Sequence, residues 1–273
     1  MYRFLDPFLS CFPYASWLTI GDGRFASDAR YIREKVKNVT ASDISDELLK
    51  QAKEKGLIEK YSIENAEKLS FENNSFDFVL CKESYHHFPR PMIALYEMLR
   101  VARHSVILIE PHDTIVGSAV AMWGEFQNGD IDFRVIIRAL LRKTHLLNFI
   151  RRLRKVKNTS AEFYKAVFEE SGNYVYSISK SEIAKVALGI GLPTLAFAHI
   201  NDYYEHGVEF EKAVEESPLF IKVKKKIEDM DKKNNVRLLV AAIFKNPPDE
   251  KCRKALIEMK YDIYDLPKNP GCH

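Results

Sequence analysis

The sequence lacks the marks of several protein classes. It has four cysteines in 273 residues: Cys11, Cys81, Cys252 and Cys272. No two stand at Cys-x-x-Cys spacing, and no histidines flank them at metal-ligand intervals. That argues against a zinc site and against a disulfide framework, so no metal is expected. Reduced thiols in a cytoplasmic protein are the expectation. No run of about 20 apolar residues occurs, so no membrane-spanning helix is expected. Met1–Leu18 is apolar and aromatic, but Asp6, Pro7 and Pro13 interrupt it and no basic leader precedes it, so it is not read as a signal peptide. The net charge is +3, too small to argue for nucleic acid. Internal repeats and low-complexity linkers are absent too.

What is present is ordinary globular composition, 46% hydrophobic and 29% charged. Short apolar runs alternate with helical patterns from Ser16 to Glu110. The expected strands are 17–20, 39–42, 58–63, 76–81 and 106–109. Helices are expected over 27–35, 46–55 (capped by Ser45 and stopped by Gly56) and 91–101, where Pro91 occupies a position that needs no N–H. Such alternation implies a parallel sheet covered by helices on both faces, with ligands beyond the carboxyl ends of its strands.

From 114 to 157 the pattern is helical. Apolar residues mix with nine Lys and Arg, and no acid occurs within 133–157. We read an insertion there. It reads first as a solvated lid face, second as a contact with a membrane surface or lipid-linked acceptor, and third as a nucleic-acid contact, for which no recognisable RNA-binding module is attached. The α/β rhythm then returns. Thr159/Glu162 and Ser179/Glu182 form capping-box patterns. Strands are expected at 194–200 and 236–244, with a helix and short strand in the tail. The expected organisation is one domain, with core segments 16–111 and 173–246, the insertion at about 114–157 and an extension over 247–273.

The chemistry-bearing residues follow the strands. Gly21-Asp22-Gly23-Arg24-Phe25-Ala26 precedes a helix, where glycine permits a tight turn and close ligand approach. A plain strand-to-helix turn is the alternative. Asp43 lies 20 positions after Gly23, where a carboxylate can accept from both ribose hydroxyls or simply cap a helix. Candidate proton acceptors follow the fourth strand: Glu83, Tyr85, His86 and His87. His112, His199, Asp202, Tyr203, Tyr204 and His206 lie at later strand ends. For His86 and His87 a loop-packing role before Pro89 is the alternative to catalysis. Phe4, Phe8, Phe12, Tyr14, Trp123 and Phe126 would line an acceptor pocket or belong to core and lid packing.

Gly21-x-Gly23, Asp43, Asn65-Ala66-Glu67, Phe76-Asp77-Phe78-Val79 and His86-His87-Phe88-Pro89, in this order, resemble S-adenosylmethionine-dependent methyltransferases of Rossmann-like fold, above all the methyltransferase type 11 group. The likeness spans about Ser16 to Pro111. It implies a three-layer sandwich with a mostly parallel seven-stranded sheet whose last strand is antiparallel. It also implies roles. Gly21, Asp22 and Gly23 would lie along the methionine portion, with Asp43 on the ribose and Ile44 on adenine. Asn65, through its side-chain oxygen, and Ala66 and Glu67 would stand around the adenine edge. Cys81 and Lys82 would face the methionine end. Thr19 departs from the pattern, standing where the group usually has a carboxylate, and Asp22 is the candidate substitute. Phe25 or Ala26 stands in place of the usual third glycine. A nicotinamide-dependent oxidoreductase and a non-catalytic membrane-surface or partner-binding module are the competing readings.

Overall fold

A computed structural model describes residues 1–23, 25–113, 176–201, 203, 217–232 and 237–269. The chain divides into two compact units, Met1–His112 with Ser177–His273, and Asp113–Tyr176. The expected insertion, its basic stretch 133–157 and the Thr159/Glu162 pattern lie outside the described residues, as do Trp123, Phe126, Asp202, Tyr204 and His206.

The first unit is built on one sheet. Its strands are β1 (Trp17–Ile20), β2 (Val39–Asp43), β3 (Lys60–Ile63), β4 (Phe76–Lys82), β5 (Ala102–Pro111), β6 (Thr194–Ile200), β7 (Leu238–Phe244) and β8 (Asp262–Asp265). Their spatial order is β3-β2-β1-β4-β5-β7-β6-β8. The first five are parallel, and β7 runs antiparallel between β5 and β6. The sheet therefore has eight strands where seven are expected. The difference is the tail strand, which pairs along β6 from Thr194↔Asp265 to Phe197↔Asp262 and covers an otherwise open edge.

Helices α1 (Asp6–Cys11), α2 (Ser27–Arg33), α3 (Asp46–Glu54), α4 (Pro91–Val101), α5 (Lys180–Gly189), α6 (Pro218–Lys232) and α7 (Glu250–Glu258) complete the described elements. The strands explain why two layers of helix are needed. Side chains alternate across a strand. In β4, Phe78 and Leu80 join the cluster that holds Phe8, Ile32, Leu49 and Leu256, from α1, α2, α3 and α7. Val79 and Cys81 join the opposite cluster with Leu95, Met98 and Ile183, from α4 and α5. All seven residues of β7 are buried, as a central strand covered on both faces requires.

Caps follow two routes. Ser179 behaves as its capping box predicts, its Oγ accepting from the Glu182 N–H at 3.1 Å. Ser45 occupies the N-cap of α3 but its side chain makes no cap hydrogen bond; instead Asp43 Oδ1 accepts from the Ser45 N–H at 2.8 Å.

The N-terminal segment is core. Phe4 and Phe8 are buried, and Phe8 lies against Phe78, Phe244 and Tyr261 with ring centroids 6.0–6.1 Å away. The Phe12 ring lies tilted against Phe78 with centroids 5.0 Å apart, whereas Tyr14 is exposed. Among the described residues no helix is long and apolar enough to cross a membrane. Removing the Phe8 ring leaves a void that its aromatic neighbours cannot close. Phe8→Ala is expected to destabilise the protein by roughly 3–5 kcal/mol, measured by urea unfolding.

Candidate active site

The end of β1 turns on Gly21, whose φ is +71°. A Cβ there would stand 2.5 Å from Ser84 Cβ and Oγ, so only glycine lets the loop after β4 close on it. Ser84 Oγ in turn donates to the Ile20 carbonyl at 3.0 Å. Gly23 makes the second close approach, for its Cβ would sit 2.7 Å from Asp43 Oδ2. The glycine loop, the end of β2 and the loop after β4 thus meet at the carboxyl ends of adjacent parallel strands. These close approaches to Ser84 and Asp43 require glycine at both positions, and they bring together residues that the type 11 resemblance assigns to the cofactor.

Asp43 divides its work. Oδ1 holds the Ser45 N–H and Oδ2 faces Gly23. The alternatives of helix cap and ligand carboxylate are therefore not exclusive. Beside it Ile44 and Ile63 are exposed, at 73% and 56%. They form an apolar wall next to the acid.

Asp22 is buried and bonded inward. It accepts from the Thr19 hydroxyl at 2.8 Å, the Asp28 N–H at 3.0 Å and the Ala29 N–H at 2.9 Å. Thr19 and Asp22 therefore hold the N-terminus of α2, and all the contacts described for the Asp22 carboxylate are to the protein itself. Phe25 and Ala26 both take left-handed backbone, φ 54° and 52°, where the expected pattern has its third glycine. That conformation is costly for residues with a Cβ. The caps on α2 hold it in place.

Lys82 ends β4 and forms a pair with buried Asp28 at 3.3 Å, while Tyr2 donates to the same Asp28 oxygen at 2.7 Å. Burial pulls Lys82 down, but Asp28 outweighs it and holds the ammonium above its ordinary range. Glu83 is more exposed and leans on Lys82 at 3.4 Å. Cys81 is fully buried, and burial pushes its thiol well above the ordinary range.

The loop after β3 is organised by acids. Glu64 is buried and accepts from Ser62 Oγ, Ser70 Oγ and the Ser70 N–H at 2.6–2.9 Å. Burial works upward, but the Ser70 contacts prevail and hold Glu64 below the usual carboxylate range. Asn65 is exposed, and its Oδ1 accepts from the Glu67 N–H at 2.9 Å. Ala66 lies between them. Both Glu67 oxygens engage Arg90, which locks this loop to the entry of α4.

The loop after β4 has one member that the sequence reading did not single out. Glu110, at the end of β5, is completely buried. Its Oε1 accepts the Ser84 and Tyr85 N–H groups, each at 3.0 Å, and its Oε2 lies 2.7 Å from His86 Nδ1. The His87 ring stands 3.9 Å from the His86 ring. Tyr85 is buried, and its hydroxyl lies 3.8 Å from Met92 Sδ. His112 and His199 lie 5.1 Å apart at the ends of β5 and β6; burial, aided by Lys180, lowers His199 to about 4. Lys226 lies 5.8 Å from the Tyr203 ring.

Burial, with the Asp28 charge adding to it, raises Asp22 from the ordinary 3.8 to about 7. The unfolded chain therefore loses this proton at lower pH than the folded one, and folding is penalised as the pH rises between those values. Asp22→Asn has no such titration. The stability of wild type minus that of Asp22→Asn should fall as pH rises from 3.8 to about 7, then level off. Urea midpoints across that range check it.

The family model described as "methyltransferase domain" matches residues 18–109, which include all the loops described above. A SAM-dependent methyltransferase from Aquifex aeolicus is 24% identical, over 41% of this chain and 67% of its own, with a TM-score of 0.34. The YcgJ protein from Bacillus subtilis is 16% identical, over 91% and 100%, with a TM-score of 0.49. Magnesium protoporphyrin IX methyltransferase from Synechocystis, crystallised with S-adenosylhomocysteine, is 13% identical, over 88% and 82%, with a TM-score of 0.44. The curated proteins yield no significant match. Residues 18–109, which carry the first five, parallel strands of the sheet, are thus the part of the chain that is similar to a methyltransferase domain.

Proposed function

We propose that the chain moves a methyl group from S-adenosylmethionine to a small-molecule, sugar-linked or lipid-linked acceptor. The observation that carries this is the approach of Gly23 to Asp43, which sets a bare backbone and a carboxylate oxygen side by side. When bound, the cofactor supplies an electrophilic methyl group on a sulfonium sulfur and leaves as S-adenosylhomocysteine.

The residues then divide by position. Gly21 and Gly23 would lie along the methionine portion, with Asp22 beneath them as support for the turn. Asp43 would hold the ribose hydroxyls through the oxygen that faces Gly23. The exposed Ile44 would cover adenine. The Asn65-Ala66-Glu67 segment would meet the adenine edge chiefly through backbone, since the Asn65 oxygen and the Glu67 carboxylate have local partners. Cys81 and Lys82 would border the methionine end. His86, His87 and Glu83 are the candidates to take a proton from the acceptor, and positioning supplies much of the remaining rate. The setting we propose is cytoplasmic. Segment 133–157, with basic and apolar residues and no acid, would supply peripheral contact with a membrane or lipid-linked acceptor.

Isothermal titration tests the cofactor site. Both S-adenosylmethionine and S-adenosylhomocysteine should bind. Asp43→Ala should weaken binding by about 1.5–3 kcal/mol, the usual range for hydrogen bonds to a charged group. Undiminished binding by that variant refutes the ribose role.

A further inference from the structure

We propose that Glu110 is the positioning residue for His86, and that the pair serves a hydroxyl acceptor. The inference rests on the methyltransferase reading and goes beyond it by naming the acceptor's chemical class. Three observations carry it.

The first is geometry. Glu110 is fully buried and collects three donors on its two oxygens, with the Ser84 and Tyr85 N–H groups on Oε1 and His86 Nδ1 on Oε2. An ionised carboxylate only accepts, so it places the imidazole proton on Nδ1. Nε2 is left with a lone pair, which is the state a base requires. The second is location. His86 is two residues beyond Ser84, the side chain pressed against Gly21. The dyad therefore stands at the end of the loop where the methyl donor's methionine portion would lie. The third is contrast within the loop. Glu83 is held beside Lys82, Tyr85 is buried with its hydroxyl near Met92, and Cys81 is fully buried. Cys81 Sγ also reaches Glu110, at 3.8 Å, but His86 is the group in this loop that combines a ring nitrogen with a short contact to that buried carboxylate, at 2.7 Å.

Methyl transfer to a hydroxyl creates a need for such a base, because the attacking oxygen becomes acidic as it gains a carbon. In the balanced step the acceptor's O–H bond breaks and its proton passes to Nε2. The oxygen forms the new bond to the methyl carbon. The S–CH₃ bond breaks with its electron pair remaining on sulfur. The imidazolium, stabilised by Glu110, then returns its proton to water. The logic is that of an acid-oriented histidine in hydrolases, where the carboxylate sets tautomer and orientation without being protonated itself.

Glu110→Gln isolates the role. The amide oxygen can keep the two backbone N–H groups, while the amide nitrogen donates to Nδ1 and forces the ring proton onto Nε2. Long-range ¹⁵N–¹H spectra of the full chain saturated with S-adenosylhomocysteine read the tautomer directly, with His86 assigned by comparison with His86→Ala. The ring proton should be on Nδ1 in wild type and on Nε2 in Glu110→Gln, with product affinity changed less than threefold. A proton on Nε2 in wild type, or no change in the variant, overturns the pairing. The acceptor class is tested with methyl-labelled S-adenosylmethionine and a panel of phenol, catechol, glucose, glycerol and dodecanol against aniline, glucosamine and dodecylamine. Label should enter a hydroxyl compound, at a rate at least 100-fold lower in Glu110→Gln and His86→Ala, and no lower still in the double variant. Label in amines alone, or in no hydroxyl compound while S-adenosylhomocysteine still binds, overturns the assignment. Failure to bind S-adenosylhomocysteine at all would instead remove the methyltransferase reading.

Discussion

The site depends on one close contact, the bare Cα of Gly21 against Ser84. Two adjacent parallel strands end there, and each must turn out of the sheet through crowded space. Any larger residue at position 21 would place a Cβ 2.5 Å from the serine and push the loop after β4 outward. The Ser84 bond to the Ile20 carbonyl would then be lost. Glu110, which gathers Ser84 itself with Tyr85 and His86, would lose its donors in turn. A carboxylate buried without partners is costly enough that such a loop would not keep its shape.

A second constraint lies beneath the glycines. The usual carboxylate at the end of the first strand is replaced by Thr19, and the acid has moved three residues along, to Asp22. The structure makes this exchange intelligible. A hydroxyl at 19 donates to the displaced carboxylate, and the carboxylate caps α2. A methyltransferase loop normally uses its acid toward the ligand. Here the acid stabilises the turn, including the left-handed Phe25 and Ala26 that stand where glycine would have been cheaper. A second charged pair stands close by, Lys82 with Asp28, and Tyr2 donates to the same Asp28 oxygen.

Much of this was legible in the sequence, and the reason is local. The apolar runs of β1, β2, β4, β5, β6 and β7 are short-range patterns, as is the turn chemistry of Gly21 and Gly23. The ordered series through Asp43, Asn65-Ala66-Glu67 and His86-His87 is local too. What stayed hidden depends on partners far apart in the chain. Glu110 lies 24 residues from His86, and nothing near Pro111 signals a buried acceptor of three donors. Tyr2 meets Asp28 from 26 residues away. The short tail strand was expected, but its pairing with β6 was not, since Asp262–Asp265 has no apolar alternation that would name a partner. Ser45 misled for the opposite reason: its pattern was right for a cap, but Asp43 reached the turn first.

The docking of Tyr261 on the N-terminal segment has a kinetic consequence. Its hydroxyl donates to the Phe4 carbonyl across 257 positions of sequence, and its ring meets Phe4 and Phe8. Contacts of such separation carry a large loop-closure cost and form late. During synthesis the parallel half of the sheet can assemble long before α7 and Tyr261 exist. The N-terminal segment is thus fastened to α7 after the parallel strands have met, and a nascent chain can own a complete glycine loop before Tyr261 reaches Phe4.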